Sequence, residues 1–307
     1  MIRQKHDQFS KQYLGDLLEP DGQVRLNYEI QGVSRFADVY FTPTTVHQHL
    51  GLLTQMTTKA CLLEPFRKQP SKMEIRQCML KLFALHGELV RQANKNVPEK
   101  SKKSSLPENA LPRLWIITTS ALDNLLNFFE AKPKSSPWGK GVYFLNQWVK
   151  SAIVVTDRLP ITPKTLWLRI LGKGKTQQQA IDEIMALPTG DALRSNVLEL
   201  LSIWHINLET KNRLTTDEKE LVMNLSPAYV KWRDETLQEG VKQGVKKGVK
   251  KAQRVFVKSV LISRFGKIDR VLSRVVEPLV QLPLEESARL LPRLSREELL
   301  ARFGKKS

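Results

Sequence analysis

The sequence predicts an α/β (α+β) fold with a mixed sheet, followed by helical C-terminal regions. Three observations predict it. Short strand patterns alternate with two amphipathic helical patterns through the first 160 or so residues. The apolar runs Leu114–Thr118 and Ala152–Thr156 have the length and composition of buried strands. Beyond Leu166 only helical spacing is left.

Taken in order, Phe9, Tyr13, Leu14, Leu17 and Leu18 recur at helical spacing, and Pro20-Asp21-Gly22 stops that helix. Val24, Leu26, Tyr28 and Ile30 alternate with period two, the mark of a half-buried strand. After the turn Gln31–Ser34, a second strand spans Phe36 to Phe41. It is expected to put Phe36, Asp38 and Tyr40 on one face and Ala37, Val39 and Phe41 on the other. Ala60–Glu64 is a short apolar strand, and Pro65 is expected to end it. Ser71, with Glu74 three residues on, has the signature of a capping box, opening a helix with Ile75, Cys78, Met79, Leu82, Phe83, His86, Leu89 and Val90 as its stripe. Asn94 to Pro107 is polar, rich in lysine and serine, and reads as a solvated loop. Leu114–Thr118 then forms a strand, Ser120 to Phe129 a helix, and Gly141–Leu145 and Ala152–Thr156 two more strands. Glu183–Leu187, Ala192–Leu208 and Thr216–Leu225 are helical patterns. The tail from Val255 to Phe303 divides into short helices around Gly266, Pro278, Pro283 and Pro292.

Composition bounds the function. The 307 residues are 41% hydrophobic and 26% charged, which supports a packed core and excludes wholesale disorder. No apolar run approaches the ~18 residues of a membrane span, so no membrane partner is expected. The N-terminus lacks a hydrophobic segment and does not read as a secretory signal. Cys61 and Cys78 are the only cysteines, which excludes a disulfide scaffold or a four-cysteine zinc site and fits a cytoplasmic setting. Lys plus Arg total 49 against 31 Asp plus Glu, a net charge of +18. That excess favours polyanions, nucleic acid first. It is concentrated at Lys95–Lys103 and Lys242–Lys258.

Several tempting motifs carry little. Gly172-Lys173-Gly174-Lys175-Thr176 imitates the end of a phosphate-binding loop, but Arg169 stands where the first glycine is required, so it reads as a basic turn. His47 and His49 alternate in a loop and read as solvated, and His86 lies on an apolar stripe and reads as a core histidine. Asp38 and Glu64 are more informative. Each carboxylate lies within or at the end of an apolar strand, where it is costly unless it is paired or binds a cation. Two such acids on adjacent strands suit Mg²⁺. The competing arrangement pairs them with Arg35, Arg67 or Arg76.

A helix, a strand pair carrying Asp38 within Arg35-Phe36-Ala37-Asp38-Val39, a strand ending in Glu64 and a long helix together resemble the PD-(D/E)XK nuclease core. More narrowly, the chain resembles the bacterial Rpn-type (recombination-promoting nuclease, transposase-related) group. The run Thr165–Gly174, the glycine tetrapeptide repeat and the helical tail are similar to segments found there. The resemblance covers most of the chain and implies a DNA-cleaving hydrolase. It makes Asp38 and Glu64 the motif acids, both metal-binding, and Pro65 the intervening residue whose carbonyl can face the metal. It also implies Mg²⁺ as cofactor. Phe66 departs from the pattern, because it occupies the position of the lysine that orients the attacking water. Lys81 on the next helix is a candidate replacement, as are Arg67 and Lys68. Glu29 is a third acid near the site and reads as an accessory or salt-bridged group, not a ligand.

The organisation expected is a nuclease-like domain over 1–190, a helical extension over 191–235, a basic Gly-xxx-Gly helix or linker over 236–258, and a small helical domain over 259–307. Asp38 and Glu64 are expected to lie about 4–6 Å apart, within reach of one Mg²⁺. The function expected is metal-dependent hydrolysis of DNA, and the alternative is an inactive oligomerising scaffold that binds nucleic acid or protein. DNA binding should be sequence-independent and weaken steeply with salt. Gly240, Gly244 and Gly248, followed by Ala252, form a small-residue ridge on a helix, from which a homo-oligomer is expected.

Overall fold

The computed structural model describes residues 6–30, 36–44, 50–95, 106–134 and 136–304. The chain divides into two compact units, Met1–Trp232 and Arg233–Ser307. In the first, α1 (His6–Leu18) buries the predicted stripe of Phe9, Tyr13, Leu14, Leu17 and Leu18. β1 (Gly22–Glu29) and β2 (Phe36–Pro43) pair antiparallel from Gly22↔Pro43 to Glu29↔Phe36.

One rung of that ladder is missing, where Asn27, with φ +49°, would meet Asp38. The pleat of β2 is interrupted at this point. Ala37 joins Tyr40 in the core on one side of the sheet, Val39 and Phe41 lie in the core on the other, and Phe36 is exposed. The strict two-face division expected from the sequence therefore fails at Asp38. A left-handed residue in the neighbouring strand acts as a local kink, as a bulge does.

After the short α2 (Leu52–Met56), β3 (Cys61–Phe66) pairs antiparallel with β2 from Phe41↔Cys61 to Val39↔Leu63. It also pairs parallel with β4 (Arg113–Thr118) from Cys61↔Arg113 to Phe66↔Thr118. Pro65 does not end β3. The ladder to β2 has already stopped at Leu63, and the pairing with β4 carries the strand through Pro65. α3 (Lys72–Lys95) makes the crossover between β3 and β4. Its start is the capping box read from the sequence, with Glu74 N donating to Ser71 Oγ at 3.2 Å and Ser71 N to Glu74 Oε2 at 2.7 Å.

α4 (Asp123–Phe128), β5 (Lys132–Pro133), β6 (Val142–Phe144) and β7 (Ser151–Val155) complete a seven-stranded mixed sheet of order β1-β2-β3-β4-β7-β6-β5. Both faces are covered. Cys61, Leu63, Trp115, Ile117, Ala152 and Val154 face one core, shared with α1. Leu62, Leu114, Ile116, Ile153 and Val155 face the other, shared with α3 and α4. Burial on both faces is why the central strands read as unbroken apolar runs.

α5 (Leu166–Arg169), α6 (Gly174–Ala186), α7 (Ala192–Glu209) and the first turns of α8 (Thr216–Phe265) add Leu168, Ile181, Leu198 and Leu225 to the α1-side core, so residues 191–232 pack within the first unit. The basic turn expected at Gly172–Thr176 contains the start of α6, a helix much longer than the predicted Glu183–Leu187. Its first amide, Gly174 N, donates to Glu220 Oε1 at 2.8 Å, and Lys173 Nζ lies 2.7 Å from Asp217 Oδ1. A cap supplied from 46 residues away is not visible in local sequence.

The helix predicted over Thr216–Leu225 continues through Pro227 to Phe265 and includes the glycine repeat. In the second unit, Val257 and Leu261 of α8 pack with α9 (Val276–Gln281), α10 (Leu284–Arg293) and α11 (Arg296–Phe303). Pro292 lies inside α10 instead of breaking it. Among the described residues, no helix is long and apolar enough to cross a membrane.

Candidate functional site

The β2–β3 ladder fixes where the two acids lie. Its last rung is Val39↔Leu63, and the same register continued by one residue brings Asp38 beside Glu64. Asp38 N donates to Glu64 Oε1 at 3.2 Å, so the backbone of one acid holds the side chain of the other. From here the strands separate: β3 continues beside β4 while β2 continues beside β1.

Each acid carries a lysine. Lys81 Nζ of α3 donates to Glu64 Oε2 at 2.6 Å, and Lys11 Nζ of α1 lies 3.0 Å from Asp38 Oδ1 and donates to Asn27 Oδ1 at 3.3 Å. All four charged residues are no more than 4% exposed. The result is a buried cluster of two lysines and two carboxyl groups, with Cys78 Sγ 3.7 Å from Glu64 Oε2.

Burial first, and the charge of Asp38 second, push the Glu64 carboxyl from its ordinary 4.5 up to about 7, while Lys81 acts in the opposite direction. The Cys78 thiol is driven well up, by burial and then by Glu64, which keeps it protonated and inert. Because the folded protein holds the Glu64 proton more tightly than the unfolded chain, this group contributes stability that is fully present below about 4.5 and is lost as pH rises through about 7. In chelator, the melting temperature is expected to fall between about pH 5 and pH 8, and Glu64→Gln to flatten that slope. Parallel slopes for the two proteins would contradict the assignment.

The other candidate residues lie elsewhere. Arg67 is buried and its charge neighbours are Glu220 and Asp217, not the strand-end acids. Lys68 and Glu29 are exposed. Arg76 is exposed and lies over the ring of Phe128, 5.4 Å from its centroid. The basic group beside the acids is thus Lys81, not Arg67, Lys68 or Arg76. Phe66, where the resemblance calls for a lysine, packs against the α3-side core. His86 is half-buried with Nε2 2.8 Å from Pro112 O, as a structural histidine would be, and burial lowers its pKa. Arg35, His47 and His49 fall outside the described residues.

Lys11 was not anticipated from the sequence, yet a signal existed. Lys11, Leu14 and Leu18 stand at i, i+3 and i+7, which places the lysine on the buried face of α1. Lys81 shows the same signature, being three residues from Cys78 and four from Leu85 on α3.

Among the described residues there is no group of three or more His, Cys, Asp or Glu side chains that could hold a metal ion. Any cation here would rest on the two carboxylates and backbone oxygen. No family, no curated protein and no solved structure matches this chain in comparison.

Proposed function

We propose that the first unit is a PD-(D/E)XK-like, restriction-endonuclease-like core of the Rpn type that hydrolyses DNA phosphodiesters with Mg²⁺. The observation that carries this reading is the 2.6 Å contact between Lys81 Nζ and Glu64 Oε2. It supports the view that the basic group absent at Phe66 is supplied by the neighbouring helix, so that two acids and a lysine meet where two strands part.

A divalent cation suits the donors present. Neighbouring carboxylates, one of which already holds a proton more tightly than usual, gain from any cation that replaces the proton. Asp38, Glu64 and the carbonyl of Pro65 would hold Mg²⁺, which when bound supplies Lewis-acid stabilisation of charge on the phosphoryl oxygens. Lys81 orients the attacking water and stabilises the negative charge that grows on the phosphorane. Lys11 holds Asp38 in place. Water adds to phosphorus as the bond to the leaving oxygen breaks, and the proton the water gives up to solvent balances the one the leaving oxygen takes from it.

A second reading has its own observation. The Lys11–Asp38 pair at 3.0 Å, with Glu64 already on Lys81, balances the site without a metal. The chain would then be a scaffold that binds nucleic acid or protein without cutting. A supercoiled-plasmid assay separates the two. Nicking that needs Mg²⁺ or Mn²⁺ and is lost in chelator and in Asp38→Ala supports the nuclease. A folded wild-type protein that leaves the plasmid intact with either metal leaves the scaffold.

Either reading includes self-association through α8 as a proposal. A Cβ added at Gly240, Gly244 or Gly248 would meet nothing within 4 Å, and Val241, Val245 and Val249 are exposed. Replacing the three glycines by alanine is expected to raise helix stability by about 0.5–1 kcal/mol per site, read by circular dichroism on heating. If the ridge is where copies meet closely, the same variant should sediment as a smaller species than the wild type. An unchanged sedimentation coefficient would remove the ridge from the interface.

A further inference from the structure

The outer surface of α3 has no role in the site that its inner surface helps to build. Lys81 and Leu82 point inward, while Met73, Arg76, Leu80 and Phe83 stand outward at steps of three and four residues, a ridge ~15 Å long. Met73, Leu80 and Phe83 are all exposed.

At one end of the ridge Trp148 stacks on Phe83, with centroids 6.3 Å apart and planes within 6° of parallel. Trp148 is 68% exposed, the kind of apolar surface that costs free energy in water unless something covers it. It is held out by a tight turn between β6 and β7. Val149 N donates to Asn146 O at 3.0 Å, Leu145 N donates to Ser151 O at 3.0 Å, and Lys150 follows in the left-handed region at φ +50°. At the other end, Lys72 Nζ lies 3.7 Å and Arg76 Cζ 5.4 Å from the centroid of the half-exposed Phe128 ring.

The charges around this surface are mostly positive. Lys72 and Arg76 lie on it, and the nearby acids are engaged: Asp123 with Arg158 at 2.8 Å, Glu108 with Lys150 at 3.3 Å, and Glu74 in the cap of α3. Exposed rings at both ends of the ridge, with two cations over one of them, match the chemistry of unpaired bases on a phosphate backbone.

We propose that the α3 ridge, with Trp148 and Phe128, is a stacking platform for single-stranded nucleic acid, Trp148 and Phe83 taking bases and Lys72 and Arg76 the adjoining phosphates. This rests on the nucleic-acid part of the function proposed above and adds the surface and the strandedness. It does not depend on cleavage.

The test measures full-length protein in chelator by fluorescence anisotropy against labelled oligothymidine, a duplex of equal length, and heparin, which offers charge without bases. Oligothymidine should bind tighter than the duplex. Trp148→Ala and Phe83→Ala should each weaken oligothymidine about tenfold while leaving heparin unchanged. Lys72→Gln combined with Arg76→Gln should weaken both ligands and reduce the dependence on salt. Equal losses for oligothymidine and heparin in Trp148→Ala, or no loss in either aromatic variant, would overturn the platform. So would an aromatic variant that converts an oligomer into monomers, since a second copy would then be the occupant. Failure of the plasmid assay leaves these outcomes untouched, and their failure leaves the cleavage assay untouched.

Discussion

Lys81→Met is expected to slow Mg²⁺-dependent plasmid nicking by about 10²–10³-fold, the effect of removing a preorganised charge from a buried site where negative charge develops. Asp38→Ala is expected to remove activity altogether, because under the proposed function it deletes a metal ligand. The two variants should differ in titration calorimetry with Mg²⁺. Asp38→Ala should lose binding, while Lys81→Met should still bind, more weakly near neutral pH. That weakening has a physical source. Lys81 opposes the burial and the Asp38 charge that hold a proton on Glu64, so its removal raises the Glu64 pKa further and a proton competes harder with the metal. Raising the pH should recover metal binding in Lys81→Met without recovering the rate. A variant that cuts at the wild-type rate would assign the lysine a purely structural part.

Trp115→Ala should be the most destabilising single change in the first unit. Trp115 is 1% exposed at the centre of β4, its Nε1 donates to Met56 O at 2.9 Å, and its ring meets Trp138 at 5.2 Å and Phe144 at 5.7 Å. Truncation leaves a cavity and an unsatisfied carbonyl, with a cost of about 3–5 kcal/mol. Over a unit of this size that lowers the melting temperature by roughly 6–20 °C. Trp148→Ala, on the surface, should move it by little, and the contrast between the two tryptophans provides an internal control. A loss below about 1 kcal/mol for Trp115→Ala would mean that the α1-side core is looser than its packing indicates.

Most strands and helices of the first 160 residues were legible because each has one dominant local signal, whereas the short α2 and β5 have none and were not read. Ser71 and Glu74 announced α3, and the apolar runs announced β4 and β7. The misread segments share a cause. Pro65 is tolerated because a neighbouring ladder has already ended, α6 begins early because Glu220 caps it from a distant helix, and Asp38 leaves the pleat because Asn27 in the adjacent strand is left-handed. None of these partners is near in sequence.

The candidate site divides in the same way. That Asp38 and Glu64 are costly acids in apolar strands, and that Phe66 stands where the resemblance calls for a lysine, was read from sequence alone, since apolar runs and the charge of a residue are local properties. Which cation answers each acid was decided only by tertiary structure. Lys11 and Lys81 lie 27 and 17 positions from their partners, on helices whose rotation about the sheet is set by packing of the whole buried stripe. Periodicity shows that a lysine faces inward. Only the register of β2 against β3, and the seating of α1 and α3 on that sheet, decides what it meets there.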